Sequence, residues 1–177
     1  MIDLLEFRRR FPTVEALPQA ALVTFASALE EHEYKSQAVI FAAGDPSDAV
    51  YLLARGAVLV LHSGVEGPQV PLERIREGEM VGEMGLVDGG HRSASVVVEE
   101  AVLAWRLSRQ DYLRLRDEGH PAIAWILREL GERVSHRVRA VQSRISRARS
   151  QPSLASSYPI EPARRRRRWY QWLLPWI

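Results

Sequence analysis

"GEMVGEMGLVDGGHRSASV", residues 78–96, places five glycines, two glutamates and one arginine in nineteen positions. Spacing alone leaves two readings open. In the first, Gly78, Gly82, Gly89 and Gly90 make turns, and Arg92 pairs with Glu83 or Asp88. In the second, the segment cradles a phosphate. Gly82 puts little side-chain bulk between the backbone and a guest. "EMGLV" (83–87) forms one helical turn whose free N–H groups attract an anion. Arg92, nine residues after Glu83, opens a strand and offers a planar fork to phosphate oxygens. Ser93 adds a hydroxyl. Glu83 is anionic and suits a neutral donor such as a sugar hydroxyl. A ligand with one phosphate charge and one ribose hydroxyl satisfies the set.

The surroundings decide the fold class. Short β-type runs occupy 38–41, 48–54, 57–63, 70–75, 92–100 and 101–108, broken by "AAGDPSD", Gly56, "GVEGP", "REGEM" and "DGGH". Strands at intervals of about 8–12 residues point to a sandwich or barrel. Val58, Val60, Leu59 and Leu61 predict a strand buried on both faces, whereas 92–98 alternates as if one face were wet.

Helical spacing flanks this region. Residues 15–31 carry Leu17, Ala21, Phe25, Ala28 and Leu29, with Pro18 early. Ser108 caps a helix over 108–117, and a long helix runs from Pro121 to 149. In that helix Leu127, Val134, Val141 and Ala148 fall seven apart, but Arg137 and Arg144 occupy other seam positions. The heptad is imperfect, and packing on the helix's own domain and pairing with a second copy both remain open.

Composition narrows the chemistry. The chain has 177 residues, 46% apolar and 26% charged, as in a globular protein of one domain. It has no cysteine, which excludes disulfides and thiolate metal sites. The five histidines are scattered, and no His-x-His of the cupin metal type occurs. No Gly-Lys-Ser/Thr follows the glycines, and Lys35 is the one lysine, so this is not an ATP-type phosphate loop. Neither a signal peptide nor a bilayer-spanning stretch is present. The expected location is cytoplasmic, with the option of a peripheral place at the membrane. Residues 1–149 carry 19 basic against 21 acidic side chains, so the body is not a broad cationic surface for nucleic acid.

"GEMGLVDGGHRSASV" resembles the phosphate-binding cassette of the cyclic nucleotide-binding domain family, written Gly-Glu-x-(Ala/Gly)-Leu, a short loop, Arg-(Ala/Ser)-Ala and a β-branched strand. "IFAAGDPSDAVYLLARGAVLV" (40–60) is similar to the family's other signature, an aromatic before Gly44-Asp45, a Tyr in the next strand, then Gly56. The cassette departs from the commonest pattern at His91, where proline usually precedes the arginine. The resemblance covers about residues 15–149. It implies an α+β fold, an eight-stranded, jelly-roll-like β-roll flanked by an N-terminal helix and two C-terminal helices, the last one long. It also implies a cyclic nucleotide, cAMP or cGMP, as ligand, with no other cofactor, no metal and no catalysis. Arg92 then binds the cyclic phosphate and Glu83 the ribose 2′-hydroxyl. Gly82, Met84, Ser93 and the adjoining Ala94 line the ligand.

The expected organisation is a cyclic nucleotide-binding domain over 1–149, a Ser/Pro-rich linker over 150–163 and an Arg-rich aromatic tail over 164–177. The expected function is a sensor that couples ligand binding to the C-terminal helix. The alternative is a nucleotide-free β-roll that serves interaction or dimerisation. A homodimer is expected through 121–149. The tail, Arg164 to Arg168 followed by Trp169, Tyr170, Trp172 and Trp176, fits an anionic membrane surface. Stacking on single-stranded nucleic acid and a solvated end are the other readings of it. A complete helix-turn-helix domain does not fit after Arg149, so no sequence-specific DNA binding is expected.

Overall fold

The computed structural model describes residues 2–62 and 70–150; the linker and the tail lie outside the described residues. Helix α1 spans Leu4–Arg10. Asp3 Oδ1 accepts the Leu5 N–H at 2.9 Å, while Arg8, Arg9 and Arg10 fill the last turn. An acceptor at the start and cations at the end both complement the helix dipole. A 3-10 turn, Pro12–Ala16, leads to α2, Gln19–Ser27. The helix expected over 15–31 is therefore split and stops at Ser27. Beyond it, Leu29–Tyr34 forms strand β1, paired antiparallel with a later strand from Leu29↔Leu107 to Tyr34↔Val102. Sheet pairing overrides the helical spacing of Ala28 and Leu29, because each residue of 29–34 gains a ladder partner.

The remaining strands are β2 (Val39–Phe41), β3 (Ala49–His62), β4 (Val70–Arg76), β5 (Met80–Val81) and β6 (Ser95–Ser108). They form one antiparallel sheet in the order β1-β6-β3-β4, with β2 on β6 and β5 on β3. The described residues thus hold six strands where a roll of eight was expected. Two pairs of expected strands are fused: 48–54 with 57–63 in β3, and 92–100 with 101–108 in β6. The β3–β6 ladder passes straight through the expected breaks and absorbs them as register shifts between Leu53 and Val58. A bulge adds a residue to one strand without ending the pairing.

Alternation along β3 and β6 gives the sheet two dry faces. Val50, Leu52, Ala54, Trp105 and Leu107 meet Phe7, Phe11, Phe25 and Trp125 from the helices. Ala49, Tyr51, Leu53, Val96, Val98, Val102 and Ala104 face the other way, toward Val58, Ile75 and Val81. As expected, Val58 is buried with its neighbours, but Leu59, Val60 and Leu61 are only half-buried. After β5 comes α3 (Glu83–Asp88), and after β6 come α4 (Arg109–Asp117) and α5 (Pro121–Ser150). Ser108 Oγ caps α4 by accepting the Asp111 N–H at 3.0 Å.

In α5, Ala122, Ile123, Trp125 and Ile126 are buried in the helix-side core, while Leu127, Val134 and Val138 are exposed. Of the described residues, those up to Ser135 form one compact unit, and 136–150 belong to a second. No described helix is long and apolar enough to cross a membrane.

Candidate functional site

Two glycine-bearing segments, 41–49 leading into β3 and 82–95 leading into β6, come together. Backbone bonds stitch them: the Arg92 N–H donates to the Asp45 carbonyl and the Gly44 N–H to the Arg92 carbonyl, both at 2.9 Å. His91 bridges to Pro46. The Ala43 N–H donates to Ser95 Oγ at 2.9 Å, and the Ala42 N–H to Asp45 Oδ2 at 2.8 Å. These bonds fix the Arg92 backbone from both sides, so its side chain has one direction to take.

That direction is inward. Arg92 is 4% exposed. Its Nη1 donates to the Gly82 carbonyl at 2.8 Å, and its Nη2 to Asp48 Oδ1 at 2.9 Å and the Ala49 carbonyl at 2.7 Å. Its Cζ lies 4.0 Å from the centroid of the Phe41 ring. Nε is buried without a protein acceptor, so this nitrogen retains a donor to give. A buried cation needs such compensation, since an unpaired charge out of water is far costlier than a paired one. The pairing of Arg92 with Glu83 or Asp88, left open by the sequence, is not what forms; Asp48 takes that place.

Gly82 makes the geometry possible. It has φ +87°, and a Cβ there would sit 2.4 Å from Arg92 Nη1 and 3.2 Å from Phe41 Cε1. From this left-handed residue the chain enters α3, where Glu83 is buried at 4% exposure. The nearest cation to Glu83 is Arg133 of α5, with Nη1 at 4.0 Å from Oε1; Arg133 also donates to the Met80 carbonyl. The carboxylate and the guanidinium expected to hold a ligand are thus both buried and not paired with each other. Ala94 is buried beside them, whereas Ser93 is exposed and the Met84 side chain is 43% exposed. Gly82 and Arg92 come together, with Glu83 next to Gly82 in the chain; Met84 and Ser93 turn their side chains outward.

Sequence reasoning missed Asp48 and Arg133, and took Phe41 only as part of a signature. Asp48 links Arg92 to Arg106, whose Nη2 reaches Oδ2 at 3.0 Å. Partial burial pushes its carboxyl up, but hydrogen bonds from Arg106 and Arg92 outweigh that and hold it below the usual carboxylate range. Nearby, burial and the neighbouring Tyr51 push the Tyr34 phenol up to about 12. A cleft of ≈ 330 Å³ lined by Ile40, Phe41, Asp45, Pro46, Asp48 and Tyr51 opens on this side. Among the described residues no cluster of His, Asp and Glu is placed to hold a metal.

Residues 31–118 match the sequence profile of the cyclic nucleotide-binding domain. The chain belongs to the cyclic nucleotide-binding domain family. It is 34% identical over 109 residues to a cAMP-dependent protein kinase regulatory subunit of Aspergillus niger, covering 62% of this chain and 26% of that one. It is 39% identical over 97 residues to the cyclic AMP receptor protein of Thermus thermophilus, covering 52% and 45%. The crystal structure of the Thermus thermophilus catabolite activator protein superposes with a TM-score of 0.62 at 29% identity, over 76% of this chain and 62% of that one. The chain therefore spans about a quarter of the kinase subunit and under half of the receptor protein. Within the family match lie both stitched segments, including Phe41, Asp48, Glu83 and Arg92; Arg133 lies outside it.

Proposed function

We propose that this chain is a non-enzymatic receptor for a cyclic nucleotide, held by Gly82, Glu83, Met84, Arg92, Ser93 and Ala94. The observation that carries the reading is the pair of buried, mutually unpaired opposite charges, Arg92 with an uncommitted Nε and Glu83 beneath α5. A cyclic phosphate suits the first and a ribose hydroxyl the second. Met84 and Ser93 contribute through their backbone N–H groups. The named relatives make cyclic AMP the first ligand to test, with cyclic GMP as the comparison. Output passes through α5, because Arg133 of that helix already touches Met80 and Glu83.

Calorimetry with both nucleotides tests this. Arg92→Ala is expected to weaken binding about thirtyfold or more, as loss of a buried charged partner costs about 2–5 kcal/mol. Absence of wild-type binding at millimolar nucleotide overturns the receptor. One observation favours a second reading, a nucleotide-free interaction module: three protein acceptors already engage Arg92. That reading predicts no rise in Tm with nucleotide. A receptor at a hundred times its Kd gains about 2.7 kcal/mol by mass action.

Exposed Leu127, Val134 and Val138 support self-association through 121–149. Val134→Glu then converts a dimer to a monomer in sedimentation, and a monomeric wild type removes the seam. For the tail, the proposed partner is an anionic membrane. Full chain, but not one ending at Ala163, pellets with anionic liposomes and is released by salt; equal pelleting of both refutes it.

A further inference from the structure

Three acceptors hold the Nη groups of Arg92, but none of them explains Phe41. This residue ends the three-residue strand β2, where it pairs with Val96 on the strand that continues from the Arg92 segment. Its ring is only half-buried, yet it lies against a cation that is 4% exposed. It also stacks with Tyr51, centroids 6.0 Å apart at 29°, and the Tyr51 ring lies 6.0 Å from Arg92 Cζ in its turn; Tyr51 meets Tyr34 edge-on at 6.3 Å. The same ring borders the cleft shared with Asp48 and approaches the space left by the missing side chain of Gly82. A flat aliphatic filler would occupy this place equally well. An aromatic ring adds a negative face, and its attraction for a cation grows as water is removed.

We propose that Phe41 is a positioning residue for anion binding: its π-face holds the Arg92 guanidinium in place and keeps water from it while a ligand phosphate engages that cation. The proposal rests on the reading that Arg92 receives the phosphate. Asp48 is 58% exposed in its side chain and sees solvent, so it anchors one nitrogen without drying the group. Phe41 supplies the dry side. It requires no bonding change in the ligand, only a guanidinium that arrives already oriented, which lowers the ordering cost of binding.

The test uses the full chain with Phe41→Leu, Phe41→Tyr and pentafluorophenylalanine at position 41, which keeps the ring and reverses its face charge. Cyclic AMP affinity is read by calorimetry and ligand-free Tm by calorimetric scan. The Arg92 Nε–H resonance is read by NMR, assigned through its loss in Arg92→Lys. Phe41→Leu and the fluorinated ring are expected to weaken binding about tenfold, and Phe41→Tyr to stay within about twofold of wild type. The Nε–H resonance shifts in the first two and holds in the third. If Phe41→Leu fails to fold, the two near-isosteric rings carry the comparison.

Wild-type affinity in the fluorinated protein overturns the proposal, because the ring then only fills space. If the wild type binds no cyclic AMP, the receptor reading fails by itself. The Nε–H resonance then decides for Phe41: a shift in the fluorinated protein sustains the clamp, and an unmoved signal overturns it.

Discussion

Strands β3 and β6 present one face to the helices and the other to the roll, and the two faces are packed by different rules. Toward the helices, Phe7 touches four other aromatic rings, those of Phe11, Phe25, Trp105 and Trp125. The one indole N–H there with a short bond, that of Trp125, is satisfied by Thr13 Oγ1 at 3.0 Å. Toward the roll, the strands offer Val, Ala, Leu and a single tyrosine. Among the described residues the four buried polar ones, Ser47, Glu83, Arg92 and Ser95, come from the two stitched segments. Large rings bury much area and hold the helices to the sheet. The smaller side chains give up part of that area and leave room for charge. Large-ring burial is concentrated on one face and buried charge on the other.

The largest expected effect sits on the helix face. Phe7→Ala empties the centre of five rings and is expected to cost about 3–5 kcal/mol, read by denaturant unfolding. Its nucleotide affinity, measured on the folded fraction, is expected to remain at the wild-type value. A parallel loss of affinity would show that the two faces are not separable. Next comes Gly82→Ala. A side chain at φ +87° costs about 1–2 kcal/mol, and here it also pushes into Arg92. Gly44→Ala is the control, with the same φ and nothing within 4 Å of the new Cβ. Both variants should lose stability, Gly82→Ala the more, but only Gly82→Ala should lose ligand. Equal binding by both would mean that Arg92 has slack where the structure shows none.

The smallest effect is that of Asp48. Its carboxyl is held below the usual range, so the stability it contributes is present above about pH 4 and is lost as pH falls through its lowered value. Because the side chain is 58% exposed, Asp48→Asn is expected to cost less than about 1 kcal/mol at neutral pH. Acid titration of the two proteins checks the sign: the difference in their stability should shrink as pH drops. A constant difference would assign the effect of Asp48 to packing and not to charge.

Legibility followed the same division. Glycines at fixed offsets from Glu83 and Arg92 were readable because turns restrict which residues serve, and Gly82 does lie against the Arg92 guanidinium. The β-type runs of β3 and β6 were readable too, but their continuity was not, and the wet face expected over 92–98 is absent from 94–98, where Ala94, Ser95, Val96 and Val98 are all buried. Turn residues such as Gly56 mark a possible break, while a long ladder with bulges can run through one. Asp48 was hidden because its partner is 44 residues away and an acid in a loop ordinarily faces water. Arg133 was hidden for the same reason: on a helix rich in arginines, nothing local distinguishes the one that reaches the Met80 carbonyl. Helix α1 escaped because Asp3, its cap, is followed by only seven residues, too few for a periodic pattern.

Strand β1 lies at the edge of the sheet, bonded to β6 alone among the described strands, and its sequence is Leu-Glu-Glu-His-Glu-Tyr. An open edge invites the backbone of another molecule, which is how many sheet proteins clump. Glu30, Glu31 and Glu33 are all exposed there. A second copy sliding in to extend the ladder would set these carboxylates against their own twins. The charged edge strand is thus a guard against fibrils, and acid strong enough to neutralise those glutamates disarms it.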